Sequence, residues 1–310
     1  MNAPVTKFPV TRHTVNSGGV KLAAYSRGNP DNTPVVLVHG YPDNHEVWNP
    51  VAERLAQKYY VVSYDVRGAG ASDRPKKVAA YTLDKLSADL VAVLDEVLPG
   101  RAVHLVGHDW GSVQTWEAVT TAPLQYRILS YTTISGPCLD HVGFWMREHL
   151  LTTSPELLGR ALNQLAHSWY VMVFQLPLVA PAVWRLLGQF WPQVLKRTEG
   201  IDVPLSPAQK KDGAYGVNLY RANFIKALTQ PRERYTGKPV QLIVARRDLY
   251  VREQLFEGLT LWAHNTWRRD VDDAGHWTLL HEGDRLAQWL DDFIRQVENG
   301  ERAEGLRKLA

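Results

Sequence analysis

Gly107-His108-Asp109-Trp110-Gly111 stands directly after the short apolar run Ala102–Val106 and directly before the helix-forming stretch Ser112–Thr121. A strand, a tight turn with glycine at both ends, and a helix is the spacing of a nucleophile elbow, whose middle residue is exposed at the tip of the turn. Side chains two positions to either side of that residue would not fit in so tight a turn, hence the glycines. Here the middle residue is Asp109, where such turns usually carry serine. The helix that follows aims its positive N-terminal end at the carboxylate. That field favours the ionised form and steadies negative charge in a transition state.

Working outward from the elbow, strand-like and helix-like runs alternate. Strands are expected at Thr11–Val15, Val20–Tyr25, Val35–Val38, Tyr59–Tyr64, Ala102–Val106, Ile128–Ile134, Val240–Ala245 and Trp267–Val271. Helices are expected at Glu46–Gln57, Leu83–Leu98, Ser112–Thr121, Glu253–Ala263 and Leu279–Val297. The alternation predicts an α/β fold: a mostly parallel, eight-stranded sheet with helices on both faces. From Pro137 to about Arg234 the rhythm breaks into helical, Trp- and Leu-rich sequence with no clear strand. The expected organisation is a core of residues 1–136 and 235–310, interrupted by a helical lid of residues 137–234. Such a lid would cover the carboxyl ends of the strands, where open parallel sheets bind ligands.

A carboxylate nucleophile attacks an sp³ carbon and leaves an alkyl ester on the enzyme. Water must then break that ester, which requires a general base. His276, in Ala274-Gly275-His276-Trp277, follows the last expected strand and is the candidate. Asp248, just past Val240–Ala245, is the expected carboxylate that orients it, with Asp140 as runner-up. Nucleophile, acid and histidine then fall in the chain order that elbow-type triads use. Asp272 and Asp273 read as loop residues, and His108 as a structural neighbour of the nucleophile. In His39-Gly40-Tyr41-Pro42 a constrained turn can present the Tyr41 amide. With the amide of Trp110 it would form an oxyanion hole for ester hydrolysis. His39, Pro42 and Trp277 are expected to touch the substrate. Asp65-Val66-Arg67-Gly68-Ala69-Gly70 reads as a buried Asp–Arg brace around a turn, and it lacks the third glycine of a dinucleotide fingerprint.

Composition narrows the alternatives. Net charge is +3 and the cations occur in short groups, so no nucleic-acid footprint is expected. Cys138 is the single cysteine, which excludes an intrachain disulfide and favours a reducing compartment. Met1–Phe8 lacks the pattern of a secretory leader, so the cytoplasm is the expected location. Ser168–Trp184 carries no charge but contains Gln175, Pro177 and Pro181. A buried or substrate-lining helix pair is expected there, without stable membrane insertion.

His39-Gly40-Tyr41-Pro42, Asp65-x-Arg67-Gly68-x-Gly70-x-Ser72, the Asp109 elbow, Asp248 and Gly275-His276 together resemble the epoxide hydrolases of the α/β-hydrolase superfamily. The resemblance runs from about Val20 to Val297 and is closest to the hydrolase half of actinobacterial proteins fused to a short-chain dehydrogenase. It implies an α/β-hydrolase fold, a cofactor-independent enzyme and a small apolar epoxide as substrate. A homodimer and a functional link to a short-chain dehydrogenase are compatible with it. Epoxide hydrolases carry two lid tyrosines that bind the epoxide oxygen. Ser168-Trp169-Tyr170 with Phe174-Gln175 matches the first, and Leu219-Tyr220-Arg221-x-Asn223 the second. A phenol can donate to the alkoxide released by ring opening; a departing halide has no use for it. The elbow is shared with haloalkane dehalogenases, which remain the alternative, as does a hydrolase-fold binding module without turnover.

Overall fold

The computed structural model describes residues 8–309. The Met1–Phe8 stretch read for a leader therefore lies, apart from Phe8, outside the described residues. The strands are β1 (Thr11–Ser17), β2 (Val20–Arg27), β3 (Pro34–Val38), β4 (Tyr60–Tyr64), β5 (Val103–His108), β6 (Ile128–Ile134), β7 (Val240–Ala245), β8 (Thr266–Val271) and β9 (Arg307–Lys308). They form one sheet in the order β1-β2-β4-β3-β5-β6-β7-β8-β9. The centre, from β4 to β8, is parallel, while β1, β2 and β9 pair antiparallel at the two ends. The ninth strand exceeds the eight expected, because two polar residues carry no alternation to read.

Every residue of β3, β5 and β7 is buried, as fits strands covered on both faces. Alternate residues of β3 serve opposite cores. Val36 and Val38 pack with Leu86, Leu90 and Trp116, whereas Val35 and Leu37 pack with Trp48, Leu286 and Leu290. Burying each such leucine contributes on the order of 1.5–3 kcal/mol relative to leaving it in water. The two cores fix the sheet from both sides, and the loops at its carboxyl edge inherit that rigidity.

Helix boundaries moved where local chemistry intervened. Glu46–Gln57 is a 3₁₀ turn, His45–Trp48, followed by an α-helix, Asn49–Leu55, with Pro50 in its first turn. Glu253–Ala263 breaks into Glu253–Phe256 and Leu259–Trp262 at Gly258, whose φ is 70°. The terminal helix is Gly283–Asn299, preceded by a separate turn, Thr278–His281. Arg67 does not brace Asp65. Its guanidinium grips Asp89 at 2.5 and 2.6 Å, because the Leu83–Val97 helix brings that carboxylate within bidentate reach. Asp65 instead accepts from His45 and from the Ala71 amide.

Between β6 and β7 the chain forms helices Leu139–Leu150, Pro155–His167, Trp169–Gln175, Val179–Leu187, Trp191–Glu199 and Gln209–Thr229. Ser168–Trp184 is only partly interior: Val171 and Ala180 are buried, while Trp169, Met172 and Leu178 face outward. Among the described residues no single helix is long and apolar enough to cross a membrane.

Candidate active site

The sheet order brings the loops together. β3 and β5 are neighbours, so the turn after β3 meets the elbow after β5; β7 and β8 are neighbours, so the loops bearing Asp248 and His276 meet. Asp109 takes φ 51° and ψ −123°, a backbone that L-residues rarely adopt. Such a conformation costs on the order of 1–3 kcal/mol and persists where the surroundings enforce it. They do so here: a Cβ on Gly107 would lie 2.6 Å from Ser112 Cα, and one on Gly111 would overlap the Val38 carbonyl. The helix then starts at Trp110, whose amide is among those with no intrahelical partner.

The Tyr41 amide donates to Asp109 Oδ1 at 2.6 Å. Asp109 Oδ2 lies 3.5 Å from His276 Nε2. On the far side of the ring, His276 Nδ1–H donates to Asp248 Oδ2 at 2.9 Å. Asp248 Oδ1 accepts the amides of Tyr250 and Val251 at 2.8 and 2.9 Å, so its own loop fixes the carboxylate. Burial alone would drive proton loss from His276, but the charges of Asp248 and Asp109 outweigh it and hold the pKa well above the usual imidazole value. Asp248 is likewise pushed up by burial, then drawn below its ordinary value by His276. His108 donates from Nε2 to the His276 carbonyl at 2.9 Å, and burial lowers its pKa to about 4, so it is a neutral support. Asp140 takes no part: it is clamped by Arg232 and Arg234 away from the histidine.

Asp109 and His276 open onto a cavity of about 130 Å³ walled by Tyr41, Pro42, Tyr170, Phe174, Trp184, Trp191, Tyr220, Tyr250 and Trp277. Tyr170 and Tyr220 come from different helices, and their ring centroids are 6.2 Å apart. Burial, then the Asp109 charge, raises both phenol pKa values, so both remain protonated donors. The Tyr41 ring adds a wall to its amide, with its hydroxyl held by the Gly213 carbonyl at 3.1 Å. His39 is a correction to the expected substrate contacts. It lies off the cavity, with Nδ1 against the Gly40 carbonyl at 2.8 Å and Nε2 accepting from the Val66 amide at 2.9 Å. Those bonds tie the ends of β3 and β4 together and leave the ring no free edge.

Sequence reading missed Trp184, Trp191, Tyr250, Asp43 and Glu199. Asp43 Oδ2 accepts from Trp277 Nε1 at 2.8 Å, and burial raises its pKa to about 7. Glu199, at the end of the Trp191–Glu199 helix, faces the amides of Trp277 and His276, and burial raises its pKa. Tyr250 was the most accessible of these, lying two residues past Asp248. The two tryptophans are placed only by how the helices cross. In chemical terms the arrangement provides a carboxylate, an oriented imidazole, an amide donor at one carboxylate oxygen and two neutral phenols in one apolar space.

Comparison with known proteins agrees with this architecture. The chain is 35% identical over 285 residues to the "Probable oxidoreductase EphD" of Mycobacterium tuberculosis, covering 89% of this chain and 48% of that protein. It therefore spans about half the length of the curated relatives it matches. Epoxide hydrolase A of M. tuberculosis is 39% identical over 132 residues, 42% of this chain and 39% of that one. Among solved structures, an epoxide hydrolase from Bacillus megaterium superposes with a TM-score of 0.75 at 20% identity, covering 91% of this chain and 100% of the other. The Vigna radiata epoxide hydrolase VrEH1 gives 0.71 at 21% identity, covering 93% and 98%. At these identities the structural likeness speaks to fold. Residues 33–282 match the α/β hydrolase fold, and the chain belongs to that family.

Proposed function

We propose that the chain hydrolyses an epoxide to a vicinal diol through an ester on Asp109. One observation carries the reading: Asp109, His276, Tyr170 and Tyr220 face the same cavity. Asp109 Oδ2 attacks a ring carbon, and the carbon–oxygen bond opens toward Tyr170 and Tyr220, one of which gives up its proton. His276 Nε2 then takes a proton from water, and the hydroxide adds to Asp109 Cγ. The oxyanion forms at Oδ1, where the Tyr41 amide waits, with the Trp110 amide as the second donor. Collapse expels the diol oxygen, which takes the proton from His276, and the proton left on Asp109 returns to the tyrosinate. Atoms and charges balance as epoxide plus water giving diol.

Esterification also prepares the base. It removes the Asp109 charge, one of the two that hold His276 protonated, so the imidazole loses its proton more readily once the ester exists. The names of the relatives and solved neighbours support an epoxide as substrate. The aromatic wall suits an apolar ring substituent, and about 130 Å³ favours a compact one, since drug-sized ligand pockets usually exceed about 300 Å³.

The test uses His276→Ala protein incubated with a panel of aliphatic and styrene-type epoxides. Intact-mass and peptide analysis should find an adduct of the epoxide's mass on the peptide containing Asp109, while the wild-type protein releases diol. Halide release from chloroalkanes with no diol from any epoxide would replace this reading with dehalogenation.

A further inference from the structure

The outward side of the helical insert is apolar where a water-facing helix is normally polar. On the Val179–Leu187 helix, Val183, Leu186 and Leu187 stand 46%, 69% and 56% exposed. On the Trp169–Gln175 helix, Trp169 and Met172 are 64% and 62% exposed, and Leu178 between the helices is 81% exposed. Positions 183, 186 and 187 share one face by helical spacing, as do 169 and 172. Other side chains of the same helices, Tyr170, Phe174 and Trp184, line the cavity. The same short helices thus separate the candidate active site from an open apolar surface.

Charge shows what this surface fits. From Ala161 to Thr198 the only Lys, Arg, Asp or Glu side chains are Arg185, Lys196 and Arg197. Lys196 pairs with Asp202. Arg185 and Arg197 are exposed and form no ion pair among the described residues. A two-fold interface centred on this face would bring the unpaired Arg185 and Arg197 of both copies toward one another, which disfavours a second copy as its occupant. No single helix among the described residues is long and apolar enough to cross a membrane. The chain turns through 102° between Trp169–Gln175 and Val179–Glu199.

We propose that this face adsorbs reversibly on an anionic lipid surface, with Trp169, Met172, Leu178 and Leu186 at the headgroup–acyl boundary and Arg185 and Arg197 against lipid phosphates. Amphipathic helices that lie in this plane combine buried apolar area with attraction of basic residues to anionic headgroups. An apolar substrate dissolved in lipid would then reach the cavity through the insert without crossing water. The adsorption itself does not depend on the epoxide reading.

The test is co-sedimentation of the full chain with phosphatidylcholine vesicles containing roughly a third phosphatidylglycerol. Binding is expected with these vesicles, and it should be weak on pure phosphatidylcholine and weakened by salt near 1 M, where the Debye length is about 3 Å. Arg185→Glu should lower partitioning about 25-fold, at about fivefold per charge lost. Leu178→Glu combined with Leu186→Glu should abolish binding, while circular dichroism and thermal unfolding match the wild-type protein. Equal binding to neutral vesicles, no vesicle binding at all, or full binding by the folded double variant would overturn the proposal. So would a wild-type dimer in light scattering that the double variant converts to monomer, which would assign the face to self-association.

Discussion

Asp248 Oδ2 lies 2.9 Å from His276 Nδ1, in a carboxylate whose other oxygen is already held by two backbone amides. The imidazole therefore keeps a proton on Nδ1, and once the ring is neutral it presents a bare Nε2. In Asp248→Asn an amide can donate to Nδ1 and force the opposite tautomer. Ester formation should survive, while ester hydrolysis slows roughly 10³–10⁴-fold, the scale of such changes in histidine triads. Rapid-quench measurement of the two steps separates them. Asp140→Asn should leave both rates near wild type and act on stability, since Asp140 holds Arg232 and Arg234.

The pH dependence has a determined sign. Burial depresses the His276 pKa, and Asp248 and Asp109 more than reverse this. Hydrolysis needs the neutral imidazole, so it should rise with pH through the pKa of His276. Because the ester has no Asp109 charge, that limb should fall below the pKa of His276 in the resting protein. Single-turnover hydrolysis rates compared with imidazole titration by NMR check this. A limb at or above the resting value would remove the Asp109 contribution from the account.

In the proposed reaction Tyr170 and Tyr220 act on the leaving oxygen, not on the acyl group. Losing one hydrogen-bond partner typically costs about 1–3 kcal/mol. Tyr170→Phe and Tyr220→Phe should therefore each slow alkylation of Asp109 roughly 10–100-fold. The double variant should nearly abolish it, and hydrolysis of a preformed ester should be little changed. Equal slowing of both steps would point to a general disturbance of the cavity.

Gly213 sits inside the Gln209–Thr229 helix, where glycine costs about 1 kcal/mol relative to alanine. It is tolerated because a Cβ there would overlap the Trp184 indole, which walls the cavity. Gly213→Ala should lose more by overpacking, about 1–3 kcal/mol, than it gains in helix propensity. Thermal unfolding should shift down and KM should rise. A more stable variant with unchanged KM would show that Trp184 yields freely.

Much of the site was legible because its central parts are local. The elbow glycines, Asp248 beyond β7 and His276 beyond β8 each sit next to a strand whose apolar run is visible in sequence. The sheet order then brings them together. The rest depended on long-range packing. Trp184 and Trp191 reach the cavity through helix crossings that no short pattern encodes. Arg67 found Asp89, 22 positions away, in preference to its near neighbour Asp65. His39 shares its motif with Tyr41 but turns to the opposite side, onto the Val66 amide. The apolar outer face of Trp169–Gln175 read as interior because composition alone does not say which side of a helix meets water.

The central claim is that water attacks Asp109 Cγ and never the epoxide carbon. A single turnover in H₂¹⁸O, with protein in excess over epoxide, tests it most directly. The account predicts unlabelled diol and one ¹⁸O in the peptide that contains Asp109, because the second diol oxygen comes from Oδ2. Diol carrying ¹⁸O from that first turnover, with no label in the Asp109 peptide, would contradict it.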